Sequence, residues 1–245
     1  MNTHSHHQDW EQLATIDPLW AILSEPSKRF RHWEQSEFFE TGVQEIAHVL
    51  AKARTLDLPR NYERALDFGC GVGRLTRAIR PHFQECVGID ISESMIRRAA
   101  ELNPDCKFLV NVEWNLHLFP ADHFDFIYSS LVLQHQPSRK VILAYIAELL
   151  RVLRPNGLLV FQLPSYIPWR HRLQLRRRLW VFLRSFGLTS DLLYNRLKLW
   201  PIQMNWISES QVIRHVTHVG GRVVDIEAAQ EEGKPFVSRI YYCTR

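Results

Sequence analysis

Apolar and polar positions follow two different periods along the chain, and the change of period falls near residue 59. The first nine residues are polar and rich in histidine, which predicts a disordered tail. Aromatic residues recur in helical patterns between residues 10 and 58, and the run 36–52 has apolar positions near helical spacing: Phe39, Val43, Ile46, Ala47 and Leu50. Residues 1–58 are therefore predicted to form a tail and a helical cap segment.

From residue 59 to residue 245, short apolar runs alternate with helical stretches. The runs predicted as strands are 65–68, 86–89, 107–110, 124–128 and 157–163, and the predicted helices are 74–80, 93–102, 138–153 and 208–219. Such alternation is typical of a parallel sheet with helices on both faces. The last two predicted strands, 222–226 and 237–243, have no helix between them, which predicts antiparallel pairing.

Composition narrows the class of protein. With 245 residues, of which 46% are hydrophobic, the chain can bury the core of one compact domain with an additional segment. No apolar run reaches the length of a bilayer span, and the amino-terminal residues lack the apolar stretch of a secretion signal. The four cysteines show no metal-binding spacing, so no metal site is predicted and a reduced, cytoplasmic protein is expected.

The net charge of +4 is unevenly distributed. Residues 165–200 contain eight lysines and arginines and one acid, a net charge of +7 that leaves −3 for the remainder. The basic pI therefore describes one segment, and it does not indicate a nucleic-acid-binding surface over the whole protein.

A glycine-rich loop follows the first predicted strand and leads into a helix. Residues 67–73 read Asp-Phe-Gly-Cys-Gly-Val-Gly. Glycines at alternate positions allow a ligand to approach the backbone closely, and free amides at a helix start bind polar ligand groups. A dinucleotide loop favours a third glycine where this chain has Arg74. Asp67, two residues before the first glycine, would repel a pyrophosphate but attract an ammonium group.

An acid ends the second predicted strand. Asp90 lies 17 residues after Gly73, where a carboxylate can accept hydrogen bonds from both ribose hydroxyls. The alternative is an acid at the start of the next helix, although Ser92 is a competing cap for that helix. The glycine loop and Asp90 together favour a nucleoside ligand.

Four segments resemble the motifs of the class I S-adenosylmethionine-dependent methyltransferases: residues 67–73, 87–90, 124–131 and 149–161. The resemblance covers about residues 60–164 and, more loosely, 204–245. It implies a Rossmann-like, seven-stranded, mostly parallel sheet with an antiparallel last strand, and S-adenosyl-L-methionine as the cofactor.

The resemblance also implies cofactor contacts. Gly69 and Gly71 would approach the methionine part, Asp67 would orient its amino group, and Asp90 would hold the ribose. The complete predicted set is Asp67, Gly69, Cys70, Gly71, Gly73, Asp90, Ile91, Met95, Asn111, Ser129, Ser130 and Leu131. In this set Ile91 and Met95 would pack near the adenine, Asn111 would bind its amino group, and residues 129–131 would line the floor below the sulfonium.

His135 is the candidate general base, because it follows the fourth strand and imidazole titrates near neutral pH. The alternative is a histidine that braces the loop before Pro137. Residues 129–132 read Ser-Ser-Leu-Val in place of the Asn/Asp-Pro-Pro-aromatic run of nucleobase-amine methyltransferases, which argues against a nucleic-acid base as the acceptor.

Residues 165–203 form an insertion that is longer than a plain connection requires. Its predicted helix places four apolar residues on one side, namely Leu175, Leu179, Phe182 and Phe186, and three basic residues on the other, namely Arg170, Arg177 and Arg184. A lid over the acceptor pocket, a surface for a membrane or an acidic partner, and a plain solvated face all remain open.

The predicted function is methyl transfer to an oxygen or nitrogen of a small-molecule or lipid-like acceptor. The rival is a non-enzymatic module that binds the cofactor and docks on a partner or membrane through its basic helix.

Overall fold

The computed structural model describes residues 3–229 and 235–245, with side chains from residue 6 onward. The helices are α1 (Thr3–Ile16), α2 (Pro18–Ile22), α3 (Gln35–Thr55), α4 (Arg74–Ile79), α5 (Glu93–Leu102), α6 (Arg139–Val152), α7 (Trp169–Arg172), α8 (Leu175–Ser185), α9 (Ser190–Asn195) and α10 (Glu209–His218). The strands are β1 (Arg64–Phe68), β2 (Glu85–Asp90), β3 (Lys107–Val110), β4 (Phe124–Ser129), β5 (Leu153–Tyr166), β6 (Arg222–Ala228) and β7 (Val237–Thr244).

The seven strands form one sheet in the order β3-β2-β1-β4-β5-β7-β6. The first five strands in this order pair in parallel, and β7 is antiparallel to both β5 and β6. The predicted mostly parallel sheet and the predicted antiparallel pair at its end are confirmed.

Alternate residues of the central strands point to opposite faces, and each face is covered. Leu66 and Ile127 contribute to a core that includes side chains of α6 and α10. Ala65 and Phe126 contribute to a second core, on the side of α3 and α4. This two-sided burial explains why the strands are continuous apolar runs, and it confirms the prediction of helices on both faces. Among the described residues, no helix combines bilayer-spanning length with the apolar character of such a span.

Helix α1 corrects one prediction. Residues 3–9, expected to be disordered, form its first part, while Met1 and Asn2 lie outside the described residues. The helix is stabilised by tertiary contacts: Leu13 is buried, and the Glu11 carboxylate accepts a hydrogen bond from the Ser94 backbone N–H at 3.1 Å. Burial against other elements therefore outweighs the polar composition of this segment.

An ion pair between a buried arginine and a half-buried glutamate connects α3 to the start of α4. The Arg74 guanidinium, 2% exposed, donates to the Glu45 carboxylate at 2.8 Å, and the Tyr128 hydroxyl donates to the same carboxylate at 2.8 Å. A Cβ atom added to Gly42 would lie 2.7 Å from the Arg74 carbonyl oxygen, so the two helices pack with their backbones in close approach. The amino-terminal segment is thereby packed against the glycine loop, and a boundary at residue 59 stays a prediction.

Candidate active site

A cavity opens at the carboxyl ends of β1, β2, β3 and β4, where β1 and β4 lie side by side although two strands separate them in the chain. Ligands of open α/β sheets bind at such a switch point. About 740 Å³ of space, including the open mouth, lies between the lining residues His6, Trp10, Ala21, Ile22, Phe68, Gly69, Gly71, Ile89, Asp90, Ile91, Met95, Asn111, Ser130, Leu131, Val132, Gln136 and Tyr145.

The glycine loop forms one wall of the cavity. The backbone N–H groups of Gly69 and Cys70 both donate to the Ile89 carbonyl, at 2.8 and 2.9 Å, which holds the loop against the end of β2. Gly69 and Gly71 have φ values of +78° and +53°, where side chains are disfavoured. A Cβ atom added to Gly71 would lie 2.4 Å from Ile22 Cδ1, so only glycine leaves this wall open.

Asp90 lines the cavity at the end of β2. Its Oδ2 accepts the Gly71 N–H and its Oδ1 accepts the Ser92 N–H, each at 2.9 Å. Burial raises the pKa of Asp90 above its ordinary value, while these backbone donors oppose that shift. The Ser92 hydroxyl caps α5 by accepting the Met95 N–H, so Asp90 does not serve as that cap, and each of its carboxylate oxygens has a further lone pair.

The part of the cavity next to Asp90 suits a flat heterocycle. Ile91 and Met95 supply apolar surface, and Asn111 is 8% exposed at the cavity wall. The Asn111 amide nitrogen donates to the Asn115 carbonyl at 2.9 Å, which leaves its Oδ1 available to accept an amino group. Together with the open backbone at Gly71, these groups fit an adenine nucleoside.

Eight of the predicted cofactor residues line this cavity: Gly69, Gly71, Asp90, Ile91, Met95, Asn111, Ser130 and Leu131. The other four lie behind the wall. Asp67 is fully buried and accepts the Thr76 hydroxyl at 2.6 Å, and burial raises its pKa to about 7. Cys70 and Ser129 are buried, and Gly73 forms the left-handed cap of α4. A direct cofactor contact for these four stays a prediction.

His135 lies in a second, smaller cavity behind Trp10. Its Nδ1 donates to the Gln203 carbonyl at 2.7 Å, and the Gln203 amide donates back to the His135 carbonyl at 3.1 Å. These bonds match the bracing role that was the alternative for this histidine. Its role as a base stays a prediction.

The sequence predicted a helical cap segment over residues 1–58, but it did not identify the individual residues that cover the cavity. His6 is 4% exposed and lines the main cavity, as do Trp10 and Ile22. Burial, followed by the charges of His135 and Arg177, lowers the pKa of His6 to about 4, so its imidazole is neutral at pH 7. The aromatic residues among the first 58 positions indicated that this segment packs against something. The sequence pattern around His6 does not show where the polar first residues dock.

A family model described as a methyltransferase domain matches residues 28–219 of the chain. The chain is 34% identical over 128 residues to 2-methyl-6-phytyl-1,4-hydroquinone methyltransferase of Synechocystis, a match that covers 51% of this chain and 39% of that protein. It is 36% identical over 115 residues to trans-aconitate 2-methyltransferase of Azoarcus, covering 44% of this chain and 42% of that protein. The matches thus span about two fifths of the lengths of these relatives.

Solved structures of methyltransferases share the fold over most or all of the chain. Magnesium protoporphyrin IX methyltransferase from Synechocystis with bound SAH is 17% identical, with a TM-score of 0.63 and complete coverage of both chains. A methyltransferase from Clostridium acetobutylicum is 13% identical, with a TM-score of 0.61 over 89% of this chain and 95% of its own. The family model, the glycine loop and the strand order agree, and the chain belongs to the class I S-adenosylmethionine-dependent methyltransferase family.

Proposed function

We propose that the protein transfers a methyl group from S-adenosylmethionine to an oxygen or nitrogen of a small, neutral acceptor with an apolar, lipid-like body. The observation that carries this proposal is the single cavity that joins the glycine loop, Asp90 and Asn111 to an apolar wall formed by the amino-terminal helices. Membership of a methyltransferase family supports the same reaction class.

The cofactor would supply the methyl electrophile, and the protein would supply orientation and exclusion of water. The Asp90 carboxylate would accept hydrogen bonds from the ribose hydroxyls, and Asn111 Oδ1 would accept one from the adenine amino group. The backbone at Gly69 and Gly71 leaves room for the methionine part, because a side chain at either position would occupy it. Trp10 and Ile22 close the opposite side.

The lining residues that are not assigned to the adenine, ribose or methionine part of the cofactor argue for a neutral acceptor. Trp10, Ile22, Leu131 and Val132 are apolar, and among the described residues that line the cavity none is a lysine or arginine. An acceptor with several carboxylates would be desolvated there without a counter-charge, which is unfavourable. A phenol, hydroquinone or amine with an apolar chain meets no such penalty.

A proton must leave an oxygen or nitrogen acceptor during transfer, and His6 is the imidazole that lines the main cavity. Its pKa of about 4 makes it neutral at pH 7 but a weak base, so it would take the proton only as the new bond to the methyl group forms and the acceptor atom becomes acidic. His6→Gln is expected to lower kcat more than it raises KM, whereas His135→Gln is expected to change both modestly by loosening Gln203. Loss of kcat in His135→Gln alone would assign the base to His135, as the sequence predicted.

The test measures S-adenosylhomocysteine by mass spectrometry after incubation with S-adenosylmethionine and matched acceptors. Phenols, hydroquinones and amines with apolar chains are compared with short polycarboxylates. Product from a neutral acceptor, and none from the polycarboxylates, is expected. Calorimetric binding of S-adenosylhomocysteine without turnover of any acceptor would instead favour the non-enzymatic binding module.

A further inference from the structure

Helices α7 and α8 carry a concentrated patch of exposed apolar side chains. Eight of the 17 large apolar side chains exposed among the described residues lie between positions 166 and 186: Tyr166, Trp169, Leu173, Leu175, Leu179, Val181, Phe182 and Phe186. Exposed apolar residues are normally scattered, and a contiguous patch marks a binding surface.

Helix α8 turns its apolar stripe outward, whereas an ordinary surface helix turns its apolar stripe toward the core. Trp180 is its buried residue, 2% exposed, and packs in a cluster with Trp20 of α2 and with Tyr194. The half-buried Arg177 donates to the Pro201 carbonyl at 3.0 Å on the inner side. Leu175, Leu179, Phe182 and Phe186 form the stripe on the outer side, with exposures of 66%, 46%, 57% and 69%. The apolar stripe therefore faces away from the rest of the protein, whereas the apolar side of a lid would face the cavity.

Positive charge lies beside this stripe. Arg176 and Arg178 of α8 and Arg170 and Arg172 of α7 are exposed, Arg184 is exposed on the side of α8 away from the stripe, and the sequence has no acid between Glu148 and Asp191. The Arg176 guanidinium lies over the Trp200 ring at 4.8 Å, and that of Arg172 lies over the Trp206 ring at 4.5 Å. Long basic side chains beside apolar ones can keep their charges at a polar boundary while their stems are buried.

We propose that the outer face of α7 and α8 docks on the surface of an anionic lipid bilayer. A helix with Leu and Phe on one face and arginines beside them, preceded by the exposed Trp169, has the composition of an interfacial helix. The apolar side chains lie on the outer side of α8 beside exposed arginines, so a protein partner would need both an apolar surface and matching acids. The headgroup region of an anionic bilayer supplies apolar depth and negative charge together.

The experiment is cosedimentation of the full chain, without cofactor or acceptor, with phosphatidylcholine vesicles and with vesicles in which part of that lipid is phosphatidylglycerol. Because cofactor and acceptor are omitted, the result does not depend on the proposed reaction. At low ionic strength the partition coefficient is expected to be at least about tenfold higher on the anionic vesicles, and to fall as salt is added.

Two double variants test the two components. Leu179→Ser with Phe182→Ser should lower partitioning by at least about tenfold, because both side chains leave the apolar boundary. Arg176→Gln with Arg178→Gln should lower it by about 25-fold, since each basic residue near an anionic surface contributes about fivefold. All four residues are exposed, and the Arg176 substitution removes a contact with Trp200, so the melting temperature should fall by no more than about 4 °C.

Matched controls lie elsewhere on the surface. Leu109 and Leu118 are 43% and 51% exposed, and Arg97 and Arg98 are exposed on α5. Their substitution by Ser and by Gln, respectively, should leave partitioning within about twofold of the wild type, because single exposed residues outside the patch contribute little.

Three results would overturn the proposal. One is equal partitioning of wild type and both double variants. Another is a dimer in sedimentation velocity that becomes monomeric in the Leu179/Phe182 variant without any vesicle binding, which would make the face a contact between two copies. The third is binding to polyglutamate and not to anionic vesicles, which would indicate an acidic protein partner.

Discussion

Replacement of Asp90 by Asn tests the centre of the site with little change in shape. The two carboxylate oxygens of Asp90 accept the Gly71 and Ser92 N–H groups at 2.9 Å each. An amide supplies one acceptor oxygen and one NH₂ group, so one of these backbone donors loses its acceptor. The ribose hydroxyls would lose the charged acceptor that is proposed to bind them.

The expected magnitudes differ for stability and for binding. Leaving one buried donor without a partner costs about 1–3 kcal/mol of unfolding free energy, which corresponds to a melting temperature lower by about 2–10 °C in a chain of this size. Loss of a hydrogen bond to a charged group costs about 1.5–3 kcal/mol, which weakens binding by roughly 10–150-fold. The protein should therefore remain folded at 25 °C while its cofactor affinity falls.

Calorimetric titration with S-adenosylhomocysteine and a thermal melt measure the two effects separately. Asp105→Asn is the matched control, because Asp105 is an exposed carboxylate before β3 and its substitution should change neither quantity. An Asp90→Asn protein that melts at a lower temperature but binds within about threefold of the wild type would refute the ribose assignment. Asp90 would then serve only to hold the glycine loop.

Three further predictions follow from the same geometry. Ala at Gly71 and at Gly187 should cost a similar backbone strain of about 1 kcal/mol, because both residues have positive φ. Only the Gly71 variant should lose cofactor affinity, because Gly71 lines the cavity, whereas a Cβ at Gly187 meets no atom within 4 Å. Equal affinities of the two variants by calorimetry would contradict this. Burial raises the pKa of Asp67 to about 7, so the folded state binds its proton more tightly than the unfolded state does and stability falls as pH rises from about 4 to about 7. The wild-type unfolding free energy should fall between pH 5 and pH 8, and urea unfolding should show that Asp67→Asn removes about 3 kcal/mol of this fall. An unchanged pH dependence in the variant would be inconsistent with a buried, protonated carboxyl. Trp10→Ala should raise KM for the acceptor more than it changes kcat, because Trp10 is cavity wall; an unchanged KM would place the acceptor elsewhere.

The central strands could be predicted well because they are buried on both sides. The predicted strand 124–128 lies within β4, and the predicted run 86–89 lies within β2. The predicted strand 107–110 also matches β3, although β3 is only partly buried. The fifth strand was predicted as 157–163, but β5 extends over Leu153–Tyr166. Its extra length comes from pairing with β4 at one end and with β7 at the other, and such contacts between distant segments leave no local pattern.

The cofactor wall was also predictable in large part. The glycines at 69, 71 and 73 all have positive φ, a conformation that the residue type itself permits. Asp67 is different, because the motif places it beside the loop while the structure buries its carboxyl beneath the loop against Thr76. Spacing along the chain thus indicates which residues come close to a ligand, but not which side chains face it.

The sequence alone determined the sheet, the glycine loop and the acid at the end of β2, because each depends on local periodicity or on backbone freedom within a few residues. Only the tertiary structure decided that His6 and not His135 enters the main cavity, and that the apolar stripe of α8 points outward. Periodicity determines which side chains share one face of a helix. The direction in which that face turns is set by packing against distant residues, here Trp180 against Trp20.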